Sequence, residues 1–226
     1  MTEPVAADRP GGGLFVVFEG GDGAGKSTQA GLLAQHLVAV GRTVRLTFEP
    51  GDSPVGGHIR RLLLDPASGD VAPRAEALLY AADKAQHVHQ VVAPSLARGE
   101  VVVSDRYVDS MIAYQGAGRA VAADQVAALA WWAVDQLRPD LTVLLDVSVE
   151  RALTAKTDWD RIEQAGLDFH QRVRDHLLTL AAADPERHLV LDGRQPVEWI
   201  AQRVAARVDR LLADQPLSEP SGRLGP

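Results

Sequence analysis

Residues 20–27 read Gly-Gly-Asp-Gly-Ala-Gly-Lys-Ser, which fits the pattern G-x-x-x-x-G-K-[S/T]. The apolar run Leu14–Phe18 precedes this stretch, and the helical pattern Gly25–Val40 follows it. A strand, a glycine-rich loop and a helix, in that order, form the context that a phosphate-binding loop requires. The glycines allow successive backbone N–H groups to point at phosphate oxygens, and the helix start adds a partial positive charge. The sequence therefore predicts a P-loop.

This loop is predicted to bind ATP. Lys26 is expected to reach the β- and γ-phosphates as a catalytic cation, and Ser27 is expected to hold Mg²⁺. The predicted ATP-binding residues are Gly20, Gly21, Asp22, Gly23, Ala24, Gly25, Lys26, Ser27 and Thr28. Small GTPases, motor ATPases, transporters and small-molecule kinases all carry such a loop, so the rest of the chain has to separate these classes.

Short apolar runs alternate with helical patterns along the chain. The predicted strands are Leu14–Phe18, Thr43–Phe48, Val101–Ser104, Leu141–Val147 and His188–Leu191. The predicted helices are about Gly25–Val40, Pro54–Asp65, Pro73–Arg98, Ala122–Leu137, Arg161–Ala183 and Pro196–Ala213, with a kink or an early end at Pro94. Strands that are apolar throughout are typical of parallel strands buried on both faces. The alternation predicts an α/β protein of the P-loop NTPase fold, with a five-stranded parallel sheet and helices on both faces.

Composition limits the possible functions. The chain has 226 residues, of which 46% are hydrophobic, enough for one sizeable core. We expect residues 14–213 to form one domain between flexible tails at 1–13 and 214–226. A formal net charge of −7 argues against a general nucleic-acid binder. The chain has no cysteine, no apolar leader and no apolar run of about 18 residues, so we expect no thiol chemistry, no membrane span and a cytoplasmic location.

An acid and a base follow the third predicted strand, at Asp105 and Arg106. The carboxyl ends of parallel strands meet at one edge of the sheet, so both residues are expected to lie beside the P-loop. Asp105 is a candidate for holding Mg²⁺, and the planar guanidinium of Arg106 suits a phosphate. A structural ion pair at the strand end is the simpler alternative.

The residues after this pair carry a family resemblance. Asp105-Arg106-Tyr107, Ser110, Ala113-Tyr114-Gln115-Gly116 and Gly118-Arg119 together resemble the signature of bacterial thymidylate kinases. Further agreement, in order and spacing, comes from Glu49-Pro50-Gly51 with Ile59-Arg60, from Leu78–Val88, and from Asp160–Glu163 with Leu167–Phe169. The resemblance covers about Phe15 to Ile200. It implies an ATP- and Mg²⁺-dependent kinase that phosphorylates dTMP to dTDP for dTTP synthesis, with a short lid over the site.

The resemblance also implies roles for individual residues. Asp22 would contact the 3′-hydroxyl of the acceptor sugar, Arg60 and Arg106 would hold its phosphate, and Tyr114 would pack beneath the deoxyribose. The full set of substrate-binding residues implied by the family is Asp22, Phe48, Arg60, Tyr80, Lys84, Arg106, Ser110, Tyr114 and Gln115. The implied catalytic residues are Lys26, Asp105, Arg106, Lys156 and Arg161, and the implied metal ligands are Ser27 and Asp105.

Four positions depart from the usual bacterial pattern. Phe48 stands at an Arg position, Tyr80 stands where a Phe stacks on thymine, and Lys84 stands where an Arg reads the base carbonyl. In the lid, Lys156 falls on a family Arg position with Arg161 as the nearest guanidinium, and the P-loop has Gly23 rather than a compensating base. Because a cationic finger can contribute roughly 10³-fold or more to phosphoryl transfer, we expect a slow enzyme or a lid that depends on Lys156.

Three alternatives stay open at this point. The first is a kinase for another or modified pyrimidine deoxynucleotide such as dUMP, which Tyr80 and Lys84 motivate. The second is a P-loop regulatory NTPase, although the Asp-x-x-Gly expected of a GTPase does not follow the loop at the right spacing. The third is a nucleotide-binding relic of the family. The family usually forms homodimers through helices beside the acceptor site, so a homodimer is expected as well.

Overall fold

The structure is a computed structural model, and it describes residues 12–119, 121–149, 162 and 165–214. In these ranges five strands form one parallel sheet with the order β2-β3-β1-β4-β5. The strands are β1 (Leu14–Gly20), β2 (Val44–Phe48), β3 (Val101–Asp105), β4 (Leu141–Asp146) and β5 (His188–Asp192). The five-stranded parallel sheet is confirmed, and each strand lies within two residues of its predicted bounds.

Helices cover both faces of the sheet. They are α1 (Lys26–Ala39), α2 (Pro54–Leu64), α3 (Pro73–His87), α4 (Ala93–Ala97), α5 (Val108–Met111), α6 (Ala123–Ala133), α7 (Leu167–Ala183) and α8 (Val197–Ala213). In β1, Leu14, Val16 and Phe18 pack towards α1 and α8. Phe15 and Val17 pack on the other face, towards α3, α5 and α6. Both faces of the strand are therefore buried, which explains why β1 is apolar at successive positions.

Two helical regions contain π-helical turns that the sequence did not predict. The helix predicted for Pro73–Arg98 leaves α-geometry at a π-helical turn, Val88–Val92, and continues past Pro94 as α4 to Ala97. Pro94 has no N–H to donate, and the π turn changes the hydrogen-bonding register just before it. A second π-helical turn, Ile112–Ala117, extends α5 through a segment for which no helix was predicted. A π-helical turn inside a helix often marks a functional site.

The chain ends and the lid were also predicted from the sequence. Residues 1–11 and 215–226 lie outside the described residues, and so do the lid candidates Lys156 and Arg161. Gly13, which was predicted to belong to the N-terminal tail, is buried. It packs closely against the helix end before β3, since a Cβ at this position would lie 2.6 Å from the carbonyl oxygen of Leu96. Among the described helices, none has the length and apolar character that crossing a bilayer demands.

Candidate functional site

The P-loop joins β1 to α1 at the carboxyl edge of the sheet. Gly20, Gly23 and Gly25 have φ angles of 141°, 75° and 91°, which L-residues with side chains rarely adopt. At Gly20 a Cβ would also lie 2.6 Å from the carbonyl oxygen of Leu145 on the neighbouring strand. Only glycine fits there, so the first residue of the motif is fixed by both backbone conformation and space.

Lys26 is the first residue of α1 and is 6% exposed. Its ammonium group donates to the carbonyl of Gly21 at 2.8 Å, so the side chain curls over the loop that it serves. Burial and, to a lesser extent, the nearby charge of Arg106 lower the pKa of Lys26 to about 8, although Asp22 and Asp105 act in the opposite direction. Because burial disfavours the charged form of Lys26, the negative charge of a bound phosphate would stabilise its protonated ammonium group.

Asp105 lies beside the P-loop, where the sequence predicted it, and it contacts Ser27. Asp105 ends β3 opposite Phe18 of β1, and the hydroxyl of Ser27 donates to its carboxylate at 2.5 Å. A hydroxyl and a carboxylate oxygen at the edge of a phosphate site form a donor set that suits Mg²⁺, a cation that takes few protein ligands beside water and phosphate. The residues present therefore fit the predicted metal.

Arg106 lies between the two halves of the site. Its backbone has a φ of 73°, in the left-handed region, and its N–H bonds to the carbonyl of Phe18 at 2.9 Å. The guanidinium donates to Asp22 at 2.6 Å, to the Ser110 hydroxyl at 2.8 Å and to the Tyr114 hydroxyl at 3.3 Å. A non-glycine residue held in this conformation costs about 1–3 kcal/mol, and such strain clusters at functional sites.

Tyr114 completes this group. Its hydroxyl donates to Asp22 Oδ2 at 3.0 Å, and burial raises the pKa of Tyr114 well above its usual range. The phenol therefore stays protonated and remains a donor. Its ring packs edge-on against Phe169 of α7, with 5.9 Å between centroids. Three predicted substrate-binding residues, Asp22, Ser110 and Tyr114, thus all contact a fourth, Arg106.

Two cavities open from these residues. The P-loop cavity is lined by Asp22, Gly23, Gly25, Lys26, Ser27, Thr28, Ala30, Leu46, Thr47, Phe48, Glu49, Arg60, Asp105 and Arg106. The acceptor cavity is lined by Asp22, Glu49, Pro50, Arg60, Leu64, Tyr80, Lys84, Arg106, Ser110, Met111, Tyr114, Gln115 and Ile162. Phe48 lies in the P-loop cavity, 5.6 Å below the guanidinium of Arg60.

Arg60 and the loop after β2 support each other. The guanidinium of Arg60 donates to the carbonyl of Pro50 at 2.7 Å. Its aliphatic stem packs on Gly51, where a Cβ would lie 2.8 Å from Arg60 Cδ. The loop in turn is held by Asp83 of α3, whose carboxylate accepts from the N–H of Gly51 at 3.0 Å. The predicted phosphate ligand Arg60 is therefore fixed through backbone contacts.

Lys84 lines the acceptor cavity but is engaged by protein groups. Its ammonium is ion-paired with the buried carboxylate of Glu49 and donates to the carbonyl of Tyr107 at 2.7 Å. His87, fully buried, bonds through Nδ1 to the other oxygen of Glu49 at 2.7 Å. Burial raises the pKa of Glu49, but Lys84 and His87 outweigh it and hold that pKa below its usual range. Lys84 therefore links α3 to Glu49 in the loop after β2 and to Tyr107 after β3, a role that no sequence pattern predicted.

Three more buried acids were not predicted. Asp83 is one, and burial, together with the charge of Glu49, raises its pKa to about 6. Glu76 is fully buried between Gln115 and Arg119. Glu19, at the end of β1, accepts from the backbone N–H groups of Tyr107 and Ser110 at 2.9 and 3.1 Å and so fixes the start of α5. A lone acid in a helix or strand carries no spacing motif, so only the fold reveals these partners.

The fold and the site together define the class of protein. A P-loop whose cation and hydroxyl face one cavity binds a nucleoside triphosphate. A second cavity that shares two arginines with the first suits a phosphorylated acceptor. This arrangement is that of a P-loop kinase for a small acceptor.

Comparisons with known proteins identify the family within this class. The family model of thymidylate kinase matches residues 18–204. The chain is 57% identical over 201 residues to the thymidylate kinase of Cutibacterium acnes, covering 89% of this chain and 98% of that protein. It is 52% identical over 209 residues to that of Leifsonia xyli subsp. xyli, covering 91% and 98%. The structure of thymidylate kinase from Ehrlichia chaffeensis superposes with a TM-score of 0.74 at 29% identity, covering 87% of this chain and 99% of that one.

The chain belongs to the thymidylate kinase family. It is an ATP-dependent nucleoside monophosphate kinase, a phosphotransferase, as the resemblance implied. The P-loop NTPase fold is likewise confirmed.

Proposed function

We propose that this protein transfers the γ-phosphoryl group of ATP to dTMP, forming dTDP and ADP. The observation that carries the proposal is the set of residues that line both cavities: Asp22, Glu49, Arg60 and Arg106. Two of these residues are arginines, and they stand where a donor phosphate in one cavity and an acceptor phosphate in the other would face each other. Phosphoryl transfer needs such in-line positioning and charge neutralisation more than covalent help from the protein.

Each phosphate meets its own cations in this proposal. The backbone N–H groups of the P-loop and Lys26 hold the β- and γ-phosphates of ATP. Arg60 and Arg106 hold the acceptor phosphate, which is already an anion and needs no strong general base. Asp22 accepts from the sugar 3′-hydroxyl, and Tyr114 packs beneath the deoxyribose. The protein bonds that now hold both arginines keep their guanidinium planes in place before the nucleotide arrives.

We further propose that Ser27 and Asp105 hold Mg²⁺ with the phosphates of ATP. When bound, the ion neutralises phosphate charge as a Lewis acid. The contact between the Ser27 hydroxyl and the Asp105 carboxylate supports this proposal, since both oxygens already converge on the P-loop cavity. Lys156 and Arg161 of the lid stay predictions for the closing cations.

The test is ADP formation from ATP and Mg²⁺ with dTMP, dUMP, dCMP or no acceptor. We expect strong stimulation by dTMP. Arg106→Met should lower kcat/KM for dTMP about 10²-fold, because one preorganised cation is lost. Arg98→Met is the matched control, since Arg98 is an exposed arginine in an ion pair with Glu100, and it should leave the rate unchanged.

Other outcomes point to the alternatives. Stronger stimulation by dUMP or by a modified pyrimidine nucleotide would leave the phosphoryl-transfer mechanism intact but assign a different acceptor. The ion pair between Lys84 and Glu49 is the feature that favours this second candidate. ADP release that ignores every acceptor would contradict the kinase and favour a regulatory NTPase.

We also propose that the protein is a cytoplasmic homodimer. Two of its most exposed large apolar side chains, Leu78 at 58% and Trp132 at 76%, lie on α3 and α6, which pack against each other beside the acceptor cavity. Isolated exposed tryptophans of this kind are enriched at interfaces. The oligomeric states of Trp132→Ser and of the wild type, compared by sedimentation, test the proposal. A variant that stays as dimeric as the wild type would show that Trp132 does not lie in the interface.

A further inference from the structure

Glu76 lies fully buried on α3 and contacts a residue that lines the acceptor cavity. Its carboxylate is 3.2 Å from the side-chain nitrogen of Gln115, a residue that is 1% exposed and lines that cavity. The guanidinium of Arg119 binds the same carboxylate through two N–H groups, at 3.1 and 3.2 Å. Arg119 itself is held over the ring of Phe169, 5.1 Å from its centroid. The kinase mechanism proposed above uses neither Glu76 nor Arg119.

This contact fixes the orientation of the Gln115 amide. Arg119 donates two N–H groups to the two oxygens of Glu76, and a carboxylate paired with an arginine in this way accepts hydrogen bonds. The NH₂ end of Gln115 must therefore face Glu76, because the carbonyl end would meet a second acceptor. The carbonyl oxygen is left for the cavity, and within the described part of the chain no side chain or backbone group donates to it.

The same cavity also has a hydrogen-bond donor, because Lys84 lines it together with Tyr80, Met111 and Gln115. In the described chain Glu49 and the Tyr107 carbonyl take two of the three N–H groups of Lys84. The remaining N–H of Lys84 and the oxygen of Gln115 give the cavity one donor and one acceptor, and the ring of Tyr80 is of a type suited to stacking.

Pyrimidine bases differ in the pattern that they present to such a pair. Thymine and uracil carry a carbonyl oxygen next to a ring N–H, so they offer an acceptor and a donor. Cytosine carries an amino group next to an unprotonated ring nitrogen, which reverses the pattern. A site built to bond one pattern rejects the other strongly, because its own buried polar groups are left unpaired.

We propose that Glu76 is a positioning residue for base selection: by holding the Gln115 amide with its oxygen towards the acceptor, it makes the site accept pyrimidines with a ring N–H and reject cytosine. The proposal rests on the proposed function, because it assumes that the base enters between Tyr80, Lys84 and Gln115. It assigns no discrimination between thymine and uracil, which share the pattern. A merely structural ion pair would instead affect all acceptors alike.

The experiment compares Glu76→Gln with the wild type. Glutamine has the same shape and offers either a donor or an acceptor, so the Gln115 amide becomes free to turn. The kcat/KM values for dTMP, dUMP and dCMP are measured, together with their dissociation constants by calorimetry. We expect the preference for dTMP over dCMP to fall at least about 10-fold in both measurements, and dUMP to change in parallel with dTMP.

Glu100→Gln provides the matched control. Arg98 binds Glu100 through the same pair of atoms, Nε and Nη2, at 2.7 and 3.1 Å, but at the surface. This control should leave the preference unchanged. Should Glu76→Gln fail to fold with Arg119 unpaired, the double variant Glu76→Gln/Arg119→Gln removes both charges together, and the same loss of preference is expected.

The outcomes separate this inference from the proposed function. A wild-type enzyme that binds dCMP as well as dTMP overturns the inference, and so does a variant that weakens all three acceptors equally. If the wild type binds dTMP selectively, the variant does not, and neither protein turns dTMP over, the inference is supported and the proposal that the protein phosphorylates dTMP is contradicted. If both proteins turn over dTMP and the variant keeps the wild-type preference for dTMP over dCMP, the kinase proposal is supported and the inference about Glu76 is overturned.

Discussion

The P-loop and the buried face of α3 are built from different kinds of contact. The loop relies on contiguous residues, with backbone groups, one lysine and glycines at positive φ. The face of α3 relies on ionisable side chains, each bound to a group far away in the chain: Glu76, Asp83, Lys84 and His87. Lys84 and Glu49 are 35 positions apart, and Glu76 and Arg119 are 43 apart. Contiguous chemistry can be read from a sequence, whereas chemistry that the fold assembles cannot.

The two regions also differ in how their charges depend on each other. Lys26 sits in its loop at an electrostatic cost, which its lowered pKa of about 8 reports. The charges on α3 compensate one another, and the removal of one leaves another buried without a partner. Loss of a charge should therefore affect catalysis in the first region and stability in the second.

The largest expected effect comes from Lys26→Met. It removes the cation at the β- and γ-phosphates, so kcat/KM should fall by about 10³-fold, which corresponds to about 4 kcal/mol of transition-state stabilisation. The free energy of unfolding should stay within about 1 kcal/mol of the wild type, because a buried and costly charge is replaced by an apolar chain of similar length. Steady-state kinetics and urea unfolding measure the two effects, and a Lys26→Met variant that lost stability but kept its activity would reverse the comparison.

The same replacement at Lys84 should act on stability. Lys84→Met leaves the Glu49 carboxylate buried with His87 as its only side-chain partner in the described chain, and the free energy of unfolding should fall by about 3 kcal/mol. Urea unfolding at pH 7.5 measures the loss. Lys84→Arg keeps the charge and serves as the control, with a smaller loss expected. An unchanged unfolding midpoint for Lys84→Met would show that the ion pair contributes nothing.

The sequence predicted the sheet and the P-loop closely because their signals are local. Five apolar runs gave the five strands within two residues, and the P-loop pattern placed Lys26 and Ser27 where the structure has them. Asp105 and Arg106 were placed correctly because the carboxyl ends of parallel strands share one edge. The π-helical turn Ile112–Ala117 was not predicted, since its residues show no helical period.

The engagement of Lys84 shows the limit of prediction from sequence. The family resemblance assigned it to a base carbonyl, and its position in the cavity allows that contact. The resemblance carried no information on Glu49 or Tyr107 as partners, because these contacts join α3 to two loops from other parts of the chain. Buried charged groups are identified by their partners, and partners are a property of the fold.

A pH experiment on Asp83 sharpens the comparison with an intermediate effect. Burial raises its pKa from 3.8 to about 6, so the native state favours the protonated carboxyl. The stability contributed by that protonated form is complete below pH 4 and is lost as the pH rises through about 6. Asp83→Asn removes the ionised form. Each pKa unit corresponds to about 1.4 kcal/mol, so the variant should be about 3 kcal/mol more stable than the wild type at pH 8.

The readout for Asp83 is the difference in the free energy of unfolding between variant and wild type across pH 4–8. It should grow with pH and level off above about 7. Asp70→Asn is the control, because Asp70 is exposed and its difference should stay flat. If the free energy of unfolding of the wild type instead rose relative to that of Asp83→Asn as the pH increases, the predicted direction of the effect would be wrong.

The smallest effect on stability is expected at His188, the first residue of β5. Like the buried charged residues of α3, His188 pairs with a residue distant in the chain, Asp109. Its Nε2 lies 2.9 Å from Asp109 Oδ2, and its Nδ1 lies 2.8 Å from the carbonyl of Asp184. Burial lowers the pKa of His188, but the bonds to Asp109 and Asp184 outweigh it and raise that pKa above its usual range. Both neighbours only accept hydrogen bonds, so the doubly protonated ring fits them best.

The variant His188→Gln tests this pair, because its amide can donate to Asp109 at every pH. The stability that protonated His188 contributes is complete below pH 6.5 and is lost as the pH rises through its higher native pKa. The wild type should therefore exceed the variant in free energy of unfolding at pH 5.5, by no more than about 1 kcal/mol for a partly exposed pair. The difference should shrink by pH 9. Urea unfolding at the two pH values measures it, and a difference that widened at pH 9 would mean that the neutral ring makes the stronger contact with Asp109.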